Sequence, residues 1–148
     1  MNAITAARTA QLHQWRVPLT AGPAAAAEAR KQVRAAIWAW DVSVDPEVAV
    51  LLVCELVTNA ITHTASEAVT LAIVAAEGGL RVDVHDTSSC LPVMPREGSP
   101  EASMDAISLF SETGRGLQLV AALSDEWGFY RTPAGKAVYF TLGFQPGR

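Results

Sequence analysis

The feature that most limits this chain is one stretch, PEVAVLLVCELVTNAITH, too apolar to stand alone as a helix and too polar along one line to be buried all round. Asp45 followed by Pro46 supplies an N-cap and a first-turn residue. Val50, Val53, Val57 and Ile61 then recur at helical spacing to about His63. A helix advances roughly 100° per residue, so Glu55, Asn59 and His63 drift by only about 40° per step and form one slanted row. Thr58 and Thr62 flank that row, and Val53, Val57, Ala60 and Ile61 lie opposite. In the first half of the helix the same stripe carries Val48, Leu51 and Leu52, so the row is expected to be covered at its start and polar only later. Such a face has two readings. It is the solvated stripe of an amphipathic helix, or it is the wall of a cavity in which Glu55 accepts a proton and Asn59 offers a carbonyl oxygen to a hard cation such as magnesium.

A helix of this kind needs a partner layer, and the rest of the chain supplies one. Residues 13–20, HQWRVPLT, alternate Trp15, Val17 and Leu19 with polar partners and predict a strand, placed at an edge because Pro18 lacks a donor. Beyond Gly22 and Pro23 an Ala-rich run predicts a first helix with Ala26, Ala29, Val33, Ile37 and Trp40 on one face. Two strand-like runs at 68–75 and 80–86 are joined through Glu77, Gly78 and Gly79 as a hairpin. Residues 87–113 turn to Ser, Pro, Gly and Glu, and a loop of that length in a compact domain is usually a functional lid or a disordered segment. A short helix, LQLVAALSD, follows Gly114, Arg115 and Gly116, and a second hairpin is expected over 127–131 and 136–144. At 148 residues with no repeat, one domain spanning 1–148 is expected. The element order predicts an α+β fold: a two-layer α/β sandwich with a mixed, mainly antiparallel sheet and helices on one face.

Two more places carry chemistry. In LRVDVHD, Asp86 falls in phase with Leu80, Val82 and Val84, so strand geometry sends its carboxylate to the covered face. Either the strand ends one residue earlier and Asp86 opens the loop as an Asx-turn residue, or it accepts a hydrogen bond from an amino group of a ligand beneath the sheet. In TGRGLQLV, two glycines at the mouth of a helix allow backbone amides to approach an anion, and Arg115 adds a fixed positive charge. The alternative is a plain loop-to-helix junction. No GxxxxGK[ST] is present, which excludes an ordinary P-loop.

A formal net charge of -4, with Lys and Arg scattered singly, argues against direct nucleic-acid binding. No run reaches the ~18 apolar residues of a membrane span and the first residues lack an apolar signal core, so a soluble cytoplasmic protein is expected. Cys54 and Cys90 lack CxxC spacing and are expected to be free thiols.

In this order, ELVTNAITH, VDVHD and TGRGLQLV followed by WGF resemble the Bergerat-fold ATPases of the GHKL superfamily, specifically the small anti-sigma-factor serine kinase branch. ELVTNAITH is the specific part; RKQVRAAIWAW and the closing GKAVYFTL extend the likeness over nearly the whole chain. The resemblance implies ATP and Mg2+ as cofactors, with Glu55 as the general base that activates a protein serine or threonine hydroxyl. It implies that Asn59 holds the magnesium, that Asp86 accepts from the adenine amino group, and that Gly114, Arg115, Gly116 and Leu117 cradle the phosphates. His63 matches a position near the phosphate end of the pocket, and 87–113 matches the ATP lid. The implied partners are a sigma factor and an anti-anti-sigma protein of the STAS type, with a homodimer as the implied assembly.

Two departures stand against this pattern. Asp86 is followed by Thr87, Ser88, Ser89 and Cys90, where the family places glycines, so easy access to positive φ is lost there. Gly135 and Lys136 stand where the family has Gly-Thr, which removes a hydroxyl beside the adenine-binding carboxylate and predicts weaker ATP affinity. Two readings result: a partner-switching protein serine/threonine kinase, or a nucleotide-dependent sequestering module with little or no kinase activity. A histidine-kinase catalytic domain acting in trans lacks a phosphoacceptor helix pair in this chain, and a non-nucleotide binding domain is the remaining alternative.

Overall fold

The computed structural model describes residues 12–64, 68–76, 78–88 and 116–146, with the backbone alone at 63 and 64. Five strands, β1 (His13–Thr20), β2 (Ala68–Ala76), β3 (Gly79–Asp86), β4 (Glu126–Thr132) and β5 (Gly135–Gly143), form a sheet in the order β1-β2-β3-β5-β4. Every pairing among the described residues is antiparallel. Helices α1 (Ala25–Trp40), α2 (Pro46–Thr64) and α3 (Gly116–Leu123) provide the second layer, which is the expected α+β sandwich.

The alternation along the strands divides the two faces. Leu71, Ile73, Leu80, Val82, Val84 and Phe140 are buried on the helix side and join Ala29, Val33, Leu52, Val53, Leu56 and Val57 of the helices in one core. Register fixes this, because Val82 lies opposite both Ile73 and Phe140, and a slip of one residue would turn each strand inside out. Strand β1 pairs only with β2 among the described residues, so Pro18 sits on the expected edge.

Local signals set the boundaries. Asp45 Oδ1 accepts from the backbone N–H of Glu47 at 2.9 Å, the N-cap bond that starts α2. Asp41 ends α1 in the left-handed region at φ 51° and donates its N–H back to the last turn, a residue type that tolerates this backbone better than most. The β2–β3 hairpin turns at Gly78, at φ 91°. One expectation fails in part in α2: Val48 packs against the core but Leu51 is 40% exposed, so the start of the polar row is only partly covered by described residues. Leu52, one residue on, is fully buried and takes the core position instead.

The face away from the helices holds a polar cluster in place of an apolar layer. Arg81 donates to both oxygens of Asp83 at 2.8 and 3.0 Å, Tyr130 Oη donates to Asp83 Oδ2 at 2.6 Å, and the Arg81 guanidinium lies 4.0 Å over the Tyr139 ring. The hydrogen bonds to the Asp83 carboxylate hold Arg81 well above its usual range. These side chains cover Asp83, which is 5% exposed on a face with no described helix above it.

Gly135 has the least room of the glycines in the described sheet. A Cβ there would overlap the Asp86 carbonyl oxygen and come within 2.7 Å of Thr87 Cα. Both obstacles are backbone, so a side chain has nothing flexible to displace. Gly135→Ala is therefore expected to destabilise the fold by about 1–3 kcal/mol, read as a lower urea midpoint at unchanged slope.

Candidate functional site

Three connections bring the sequence's chemical residues to one end of the sheet. Only residues 65–67 separate the end of α2 from the start of β2, which ties the C-terminal turns of α2 to that edge. The β2–β3 register pairs Thr70 with His85, so Asp86 at the end of β3 lies at the same edge. Asp86 in turn faces Lys136 at the start of β5. At the far end, Ser124 and Asp125 join α3 to β4, and Glu126 pairs with Thr141. A helix packed along the sheet therefore has Gly116 at the end nearer Asp86.

Asp86 is 4% exposed and points to the covered side, as its parity with Leu80, Val82 and Val84 predicts. It also forms the Asx turn: Oδ1 accepts the backbone N–H of Ser88 at 2.8 Å. Asp86 thus stays in β3 as its last residue and also opens the loop as an Asx-turn residue. Its other oxygen, Oδ2, accepts from Lys136 Nζ at 2.8 Å, in a pair whose side chains are 1% and 4% exposed. The sequence marked Lys136 only as a missing threonine. Its burial was nonetheless readable, because Lys136 is in phase with the covered Phe140 and Leu142 of the same strand.

On α2, Asn59 is half-buried and its Oδ1 is sealed from solvent without a hydrogen-bond donor among the described residues. A buried carbonyl oxygen left without a partner costs about 1–3 kcal/mol. A carbonyl oxygen in this state has the chemistry to hold a hard cation with oxygen ligands. Glu55, one turn earlier, is half-buried, and burial raises its carboxyl above the usual Glu range. A raised carboxylate is a better proton acceptor, as a general base requires. Beside it, Cys54 is a free thiol whose Sγ lies 3.4 Å from Arg30 Nη1.

At α3, Gly116 is buried at the first position and Leu117 is 9% exposed and part of the core. The Leu117 side chain therefore packs into the core, and its backbone lies at the start of the helix. The His63 side chain, Gly114, Arg115, Cys90 and all of the expected lid beyond Ser88 lie outside the described residues. Among the described residues no cluster of His, Cys, Asp and Glu could hold a metal by itself, and no helix is long and apolar enough to cross a membrane.

A family model described as a histidine kinase-like ATPase domain matches residues 19–142. No curated protein matches the chain.

The buried pair should behave as a unit. Lys136→Met is expected to cost about 3–5 kcal/mol because it strands the Asp86 carboxylate, whereas the double change Asp86→Leu with Lys136→Met should cost far less; urea melts of a double-mutant cycle give the coupling. The raised carboxyl of Glu55 carries a sign as well. Its contribution to stability is intact below the unfolded-state value near 4.5 and is lost as pH rises through the higher folded value. Glu55→Gln should therefore be more stable than the parent at pH 7.5, with the gap closing toward pH 4 in paired urea melts.

Proposed function

The chain belongs to the histidine kinase-like ATPase family, and we propose that it is an ATP- and Mg2+-binding serine/threonine protein kinase of the anti-sigma type. The observation that carries this reading is the orphaned Asn59 Oδ1, one helical turn from a carboxyl that burial has made more basic. Family membership supports ATP binding; the arrangement on α2 supports what is done with it.

In this reading Asn59 Oδ1 ligates the magnesium, which supplies charge neutralisation at the phosphates when bound. Gly114, Arg115, Gly116 and Leu117 hold the phosphates at the start of α3, and His63 lies at the phosphate end. Asp86 accepts from the adenine amino group through the lone pairs that Ser88 and Lys136 leave unused. Glu55 takes the proton of a serine or threonine hydroxyl as that oxygen bonds to the γ-phosphorus and the bond to the departing ADP oxygen breaks. The substrate is an anti-anti-sigma protein of the STAS type, the sequestered partner is a sigma factor, the acting form is a homodimer, and the setting is the cytoplasm.

A second reading, a nucleotide-dependent sequestering module without transfer, is favoured by one observation. The adenine-side carboxylate is already engaged in a buried ion pair.

The two separate in one experiment with labelled ATP and a STAS-type protein from the same genome. Kinase action predicts transfer that falls about 10²–10⁴-fold in Glu55→Ala, while binding of a fluorescent ATP analogue persists. Asn59→Ala should reduce analogue binding in magnesium to the level seen with chelator. Saturable binding with no transfer to any such partner would favour the sequestering module.

A further inference from the structure

Lys136 is the least expected residue in the covered layer. It is 3% exposed, its ammonium is held 2.8 Å from Asp86 Oδ2, and it makes that one hydrogen bond among the described residues. An ammonium has three N–H donors and no acceptor capacity, so two of its donors have no acceptor among the described residues in a place withdrawn from water. Gly135, immediately before it, presses the start of β5 against the backbone of Asp86 and Thr87, which fixes where the stem of Lys136 leaves the strand. The pair is therefore a positioned couple: one group that only accepts and, beside it, one that only donates.

We infer that Lys136 reads the nucleobase, donating to N1 of adenine while Asp86 accepts from the adjacent 6-amino group. The inference rests on the nucleotide-binding reading above and adds the residue that selects the base. The edge of adenine offers a donor at position 6 and an acceptor at N1, which complements a carboxylate followed by an ammonium. A 6-oxo purine reverses both, setting a carbonyl oxygen against the carboxylate and an N–H against the ammonium. A hydroxyl at position 136 could reorient and accept from that N–H. The ammonium cannot, so it excludes the 6-oxo base instead of tolerating it. Sites built on buried polar groups discriminate strongly in this way, because the wrong ligand leaves those groups unpaired.

The test is calorimetric titration of the full chain with ATP, inosine triphosphate and 1-deaza-ATP, which lacks only the N1 acceptor. For the parent protein, 1-deaza-ATP should bind at least tenfold more weakly than ATP, and inosine triphosphate more weakly still. In Lys136→Thr the penalty for inosine triphosphate should shrink at least tenfold, and in Lys136→Met the penalty for losing N1 should fall to within threefold. Equal binding of ATP and 1-deaza-ATP by the parent protein overturns the inference without needing any variant to fold. Ratios unchanged in a folded Lys136→Thr overturn it as well. If no purine triphosphate binds the parent at all, the nucleotide reading itself fails, which is a different outcome from binding without base discrimination.

Discussion

The functional end of the molecule depends on β3 being paired on both sides. Strand β2 fixes one register and β5 the other, so the position of Asp86 is determined twice, against the start of β2 and against Lys136. Because successive residues of a strand point to opposite faces, these two registers also decide that Leu80, Val82, Val84 and Asp86 share the covered side. Helix α2 then has a continuous apolar bed for Leu52, Val53, Leu56 and Val57, and its polar row is carried to the same edge. A one-residue slip of β3 would expose the core and would also bring Asp83 and His85 to the inside, so stability and site geometry are specified by the same backbone hydrogen bonds.

Most of the architecture was legible in the sequence because it is written in local codes. Asp45 and Pro46 mark a helix start, Gly78 a hairpin, Pro18 an edge, and strand parity gives the core. Asn59 was also legible, since its spacing from Glu55 puts both on one line of α2. What was not legible depends on partners distant in sequence. The Lys136–Asp86 pair joins residues fifty positions apart, and only the β3–β5 register brings them opposite one another. The covering of Asp83 by Arg81, Tyr130 and Tyr139 has the same origin. The expectation at Leu51 went wrong for a different reason: helical periodicity has no fixed phase, so Leu51 and Leu52 compete for one core position until a neighbour decides between them.

The two faces of the sheet follow different physics. On the helix side, burial of apolar area is the main stabilising term, and among the described residues buried charge enters as the Asp86–Lys136 couple, beside the sealed Asn59 Oδ1. On the other side the strands hold themselves together with a charge-assisted and aromatic cluster centred on Asp83, with His85 edge-on to Tyr130. Burial lowers the His85 imidazole below its usual range, with Arg16 adding to that effect. The cluster therefore holds its main charge pair in Arg81 and Asp83 at neutral pH.

Pro18 has a consequence that reaches beyond this chain. An eight-residue edge strand presents a row of open backbone groups on which another strand could grow, the usual starting point for uncontrolled sheet extension between molecules. The proline ring is compatible with β1 only where its nitrogen faces away from β2, so the missing donor falls on the outward side. An incoming strand meets a gap in the ladder two residues from the end of β1. The residue that the edge merely tolerates thus acts as a terminator on the β1 side of the five described strands.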